Sequence, residues 1–108
     1  MTTLSTHVLD TERGRPASGV GVAVYAGNRQ LARCETNADG RVPDLVGDAL
    51  GPGAYRLVFE VGAYFAALGR TDAFLREVAI EFRIASDQAH YHIPLLLSGY
   101  ACTTYRGS

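Results

Sequence analysis

The chain has 108 residues, the length of one domain, and its 47% hydrophobic and 19% charged composition excludes a disordered segment. A formal net charge of −1 gives no electrostatic footprint for nucleic acid or an anionic membrane. All ten basic residues are arginine, which excludes a Schiff-base lysine, a Ser-Lys dyad and a phosphate-loop lysine.

The opening MTTLSTHVLD has no basic segment followed by an apolar stretch, and no later run approaches the roughly 20 apolar residues that span a bilayer. A cytoplasmic chain is expected, with Cys34 and Cys102 kept as thiols. Residues 4–10 can form a first strand. Val20, Val22 and Val24 alternate with Gly21, Ala23 and Tyr25, a strand with one strongly apolar face. Gly27-Asn28 suits a tight hairpin turn into a second strand over residues 30–36. The turn-rich residues 36–40 (Thr-Asn-Ala-Asp-Gly) come next, and residues 43–53 read as an irregular connection.

Tyr55, Leu57, Phe59 and Val61 alternate with Arg56, Val58 and Glu60 as a further strand. Tyr64 to Leu68, bounded by Gly62 and Gly69, suggests one short helix. Val78, Ile80, Phe82 and Ile84 then face one way, and Glu77, Glu81 and Arg83 the other. Residues 89–97 form a long, mostly apolar strand, and residues 101–106 the last one. Seven or eight short strands with one helix predict an antiparallel β-sandwich, residues 1–108 forming a single domain. Leu95, Leu96 and Leu97 cannot all point inward, and the outward one is read as part of a subunit interface.

Three positions could carry chemistry. His90 and His92 project from one face of a strand, which alone could be half of a metal site completed by His7, Cys34, Cys102 or a carboxylate. No Cys-x-x-Cys or His-Glu-x-x-His spacing supports a metal, and none is expected. Arg41 follows a compact turn and taken alone reads as a surface arginine, although such a turn can aim a rigid, always-charged guanidinium. Thr104-Tyr105-Arg106-Gly107-Ser108 puts polar groups directly after a strand, and these matter only if that strand is docked.

Four segments resemble the transthyretin-like 5-hydroxyisourate hydrolases: residues 4–10 (LSTHVLD), 36–41 (TNADGR), 90–98 (HYHIPLLLS) and 105–108 (YRGS). They stand in the family's order across essentially the whole chain. The terminal Tyr-Arg-Gly-Ser is the most specific, since it separates the hydrolases from transthyretin, the hormone carrier of the same fold. The resemblance implies an all-β transthyretin-like (prealbumin) sandwich of two four-stranded sheets with one short helix, assembled as a homotetramer with its sites at the dimer–dimer interface. It implies hydrolysis of 5-hydroxyisourate to 2-oxo-4-hydroxy-4-carboxy-5-ureidoimidazoline, without cofactor.

Carried over by motif, the site residues are His7, Arg41, His92, Tyr105 and Ser108. His92, positioned with His7, would deprotonate the water, and Arg41 would hold the ring through its carbonyl oxygens and stabilise negative charge. Tyr105 would position the substrate, and Ser108 with the terminal carboxylate would orient the imidazoles or the water. His90 is left a supporting role. Gly99-Tyr100-Ala101-Cys102 and Arg76 depart from the family's usual residues and are expected to tune stability or substrate fit. A non-catalytic transthyretin-like carrier is the alternative, and a generic β-sandwich interaction or metal-binding module is the remote third.

Overall fold

The computed structural model describes residues 2–86 and 89–107. Among the described residues, ten strands form two stacked sheets and one helix follows β6: β1 Thr3–Asp10, β2 Arg15–Pro16, β3 Gly21–Ala26, β4 Arg29–Glu35, β5 Arg41–Val42, β6 Gly53–Glu60, α1 Val61–Ala67, β7 Val78–Ile84, β8 His90–His92, β9 Leu95–Leu97 and β10 Cys102–Thr104. One sheet runs β4-β3-β6-β7, antiparallel throughout. In the other, β8 and β9 flank one edge of β1, β2 and β5 share its opposite edge, and β10 closes on β9. Counting segments on one edge as a single strand, each sheet is four strands wide, as expected.

Alternation on β1 sorts the two faces. Leu4 and Val8 point inward with Leu95 and Leu97 and meet Val22, Val24, Leu57 and Phe59 of the other sheet, all fully buried. Each such side chain contributes about 1.5–3 kcal/mol on burial. Asp10, also buried, accepts hydrogen bonds from the Tyr64 hydroxyl at 2.7 Å and from the backbone N–H groups of Glu12 and Arg13.

Several details differ from the sequence reading. The antiparallel sandwich contains one parallel pairing, β1 with β8 and β9. Alternation carries no strand direction, and parallel neighbours need a long crossover, here everything from β2 to β7. The strand expected over residues 89–97 breaks at Ile93-Pro94, because proline has no N–H for the ladder. The helix starts at Val61, not Tyr64, because Gly62 docks its N–H on the Arg76 carbonyl at 2.8 Å, with that backbone 3.0 Å from where a Cβ would sit. Val61, Tyr64 and Phe65 then form the buried i, i+3, i+4 face. At the Gly27-Asn28 turn only Gly27 takes positive φ (+58°).

Ile80 and Phe82 of β7 are only half-buried, because β7 is an edge strand beside the open margin of the sandwich. Leu96, between the buried Leu95 and Leu97, lies half-buried on the outer face beside Leu9. Cys34 and Cys102 are free thiols. No helix among the described residues is long and apolar enough to cross a membrane.

Candidate active site on the outer face of one sheet

Period-two geometry that sends Leu4 and Val8 into the core sends Thr3, Ser5, His7 and Leu9 outward. Pairing brings the chemistry together on that face. In the register of β1 with β8, Thr3 stands beside His90 and Ser5 beside His92; in that of β1 with β5, His7 stands beside Arg41. Residues 85 positions apart in sequence become neighbours through strand pairing alone.

The turn before Arg41 is pinned on all sides. The Asn37 side-chain oxygen accepts from the Asp39 N–H at 2.9 Å and the Arg41 N–H at 3.0 Å, and Asn37 donates its own N–H to the Arg41 carbonyl. Gly40 takes a φ of +74° and accepts the Val8 N–H at 2.7 Å; a Cβ there would lie 2.4 Å from the Val8 carbonyl oxygen. Only glycine fits such an approach in that backbone region. The docked turn presents the Asp39 carbonyl to His7, whose Nε2–H donates to it at 2.9 Å. In neutral His7 the bare nitrogen is therefore Nδ1.

His92 is held differently. Its Nδ1 meets the Ser5 hydroxyl at 2.8 Å, and its backbone carbonyl accepts the Gly107 N–H at 2.7 Å. Gly107 packs so closely that a Cβ there would approach His92 Cδ2 to 2.8 Å. The tail is thus docked on this histidine, the condition on which its motif depends. Burial, then the charges of Arg41, His7 and His90, push the His92 pKa below its ordinary value near 6.5. The ring stays neutral and able to accept a proton at neutral pH. In the unfolded chain His92 binds protons more readily, so this group lowers stability as pH falls below about 6.5.

The structure thus gathers His7, Arg41 and His92 on one face, with Gly107 against His92. Tyr105 is 55% exposed and lines an apolar cavity of about 220 Å³ with Ile80, Phe82, Tyr91 and Ile93, on the Tyr91 side of β8. Arg106 stacks its guanidinium 4.4 Å from the Tyr91 ring centroid. Ser108 lies outside the described residues. Among the described residues no group of three or more histidine, cysteine or carboxylate side chains is placed to hold a metal ion. Ser5 escaped the sequence reading: an isolated serine in a strand carries no local signal, and only the β1–β8 register reveals its contact with His92.

Two four-wide sheets with a single short helix after β6 make this a transthyretin-type sandwich; sea bream transthyretin in complex with thyroxine superposes with a TM-score of 0.86 at 29% identity, covering 97% of this chain and 94% of that one. Residues 4–107 match the model of the HIUase/Transthyretin family, and the chain belongs to that family. Within it, 5-hydroxyisourate hydrolase 2 of Rhizobium meliloti (strain 1021) is 47% identical over 114 residues, covering 97% of this chain and 95% of the relative. Klebsiella pneumoniae 5-hydroxyisourate hydrolase superposes with a TM-score of 0.93 at 41% identity, each chain fully covered.

Proposed function

We propose that the chain is a 5-hydroxyisourate hydrolase, adding water to a ring carbonyl and breaking the adjoining C–N bond to give 2-oxo-4-hydroxy-4-carboxy-5-ureidoimidazoline. The observation that carries this is the outer face of β1 and its neighbours, where a neutral His92, His7 and Arg41 converge beside the docked tail. Full-length likeness to hydrolases supports it.

The reaction needs a base for the water, a partner for the developing oxyanion and a proton for the leaving nitrogen. His92, its Nδ1 engaged by Ser5, offers Nε2 as the base, worth about 10²–10⁴-fold. Arg41 sits beside His7 and binds the ring's carbonyl oxygens, and an oxyanion donor of this kind contributes roughly 10²–10³-fold. His7, fixed by the Asp39 carbonyl, orients substrate and water. Tyr105, which within one chain lines the cavity on the Tyr91 side of β8 and not the His7 face, is assigned substrate positioning by the motif alone. Ser108 is assigned the orientation of the imidazoles by the same motif. The reaction uses no cofactor or metal.

The site face is open in one chain, and the half-buried Leu9 and Leu96 continue it as apolar surface. Copies of the chain cover it in a homotetramer with the sites at the dimer–dimer interface, and the enzyme works in the cytoplasm on a small molecule, with no nucleic-acid or membrane partner. The likeness to a thyroxine-bound transthyretin keeps a small-molecule carrier as the second reading, but a carrier requires neither a general base nor a guanidinium beside it.

An ultraviolet assay decides between them. 5-Hydroxyisourate generated from urate by urate oxidase is followed with and without the protein. Accelerated decay, unaffected by a chelator, is expected; decay at the spontaneous rate refutes the enzyme.

A further inference from the structure

Behind His92 runs a chain of hydrogen bonds that the hydrolytic site does not itself account for. The Thr3 hydroxyl meets His90 Nδ1 at 2.6 Å, His90 Nε2 meets the Ser5 hydroxyl at 2.8 Å, and the same hydroxyl meets His92 Nδ1 at 2.8 Å. Ser5 is 8% exposed, whereas His90 is open to solvent. A serine hydroxyl owns one proton, so it can donate to only one of its two imidazole neighbours; the other must donate to it. The tautomers of His90 and His92 are therefore locked together. With His92 protonated on Nδ1, Ser5 donates to His90 Nε2, His90 donates from Nδ1 to Thr3, and His92 Nε2 is bare.

We propose that Ser5 and His90 form a proton shuttle behind His92, fixing its tautomer with Nε2 bare and keeping the ring neutral while Nε2 takes a proton from water and later yields it to the leaving nitrogen. As Nε2 gains the water's proton, the Nδ1 proton moves to Ser5, Ser5's own proton moves to His90 Nε2, and His90 passes its Nδ1 proton through Thr3 to solvent. When Nε2–H protonates the leaving nitrogen and the C–N bond breaks, the same movements run backwards with a proton drawn from solvent. The shuttle ends each turnover as it began, and the only net proton released comes from the new carboxylic acid. The advantage is electrostatic: an imidazolium at His92 would share its surroundings with the Arg41 guanidinium, whereas a shuttled ring never carries that charge. Ser5 and His90 are positioning residues, and their kinetic role rests on the hydrolase reading above.

Two measurements separate the shuttle from that reading. In the free protein, histidine ring-nitrogen NMR should show His92 protonated on Nδ1; Ser5→Ala should move it towards the Nε2–H tautomer, and Ser5→Thr should restore the first. In steady state, His90→Gln keeps a hydrogen-bonding end but cannot pass a proton, and should lower kcat at least about tenfold with KM within about twofold, added imidazole recovering part of the rate. An unchanged His92 tautomer in Ser5→Ala, or a full kcat in His90→Gln, overturns the shuttle. Absence of turnover by the unmodified protein overturns the hydrolase reading instead, leaving the tautomer measurement to judge the shuttle.

Discussion

Gly40→Ala tests how the site is held together. The residue combines a φ of +74° with a Cβ position 2.4 Å from the Val8 carbonyl oxygen, 3.0 Å from Pro16 Cβ and 3.1 Å from the Ala17 N. A side chain in the left-handed region costs about 1–2 kcal/mol. The obstructing atoms include backbone of β1, which cannot rotate aside, so the turn must lift. Lifting it breaks the Val8 N–H bond to Gly40 and the His7 bond to Asp39, each worth about 0.5–1.5 kcal/mol. The total is about 2–5 kcal/mol. Gly19→Ala is the matched control, with φ +80° but nothing within 4 Å of its Cβ, and should cost only about 1–2 kcal/mol. Urea unfolding of both variants gives the two losses, and hydroxyisourate decay gives kcat/KM. Gly40→Ala should also lose most turnover, because Arg41 and the carbonyl that fixes His7 move together, whereas Gly19→Ala should keep it. Equal destabilisation by the two substitutions, or full turnover in Gly40→Ala, would refute the docked-turn account.

Three further outcomes follow from the same geometry. Arg41→Met removes a cation that lowers the His92 pKa, so an NMR titration of that ring should move upward towards 6.5; a downward or absent shift contradicts the electrostatic picture. Gly107→Ala puts a methyl group 2.8 Å from His92 Cδ2 and should lower kcat/KM about 10–100-fold by displacing the tail, with unfolding free energy changed by no more than about 1 kcal/mol. Tyr64→Phe removes a hydroxyl donor to the buried Asp10 carboxylate and should cost about 1.5–3 kcal/mol in chemical denaturation while leaving kcat unchanged.

Much of this was legible in the residues, and the exceptions have physical causes. Alternation in β1 separates Leu4 and Val8 from Ser5 and His7 without any knowledge of neighbours, and His-x-His in β8 puts two rings on one face by the same rule. The direction in which β8 lies along β1 is not written in either strand, so the parallel pairing and the Ser5–His92 contact it creates could not be read locally. The two-residue strands β2 and β5 are too short for any period to show. Val61 continues the alternation of β6 and looks like strand; the docking of Gly62 on the Arg76 backbone, a tertiary contact, turns it into helix. The motif residues foretold His7, Arg41 and His92 as a group, whereas Tyr105 lines the cavity on the far side of β8, a placement that spacing within the tail does not encode.

His92→Ala, assayed by ultraviolet decay of fresh 5-hydroxyisourate beside the unmodified protein, probes the proposed chemistry at its centre. With the β-sheet signal in circular dichroism and the molecular mass in solution both unchanged, kcat/KM should fall about 10²–10⁴-fold, the contribution of a general base. A folded His92→Ala protein that still hydrolyses the substrate within about threefold of the original rate would contradict the assignment.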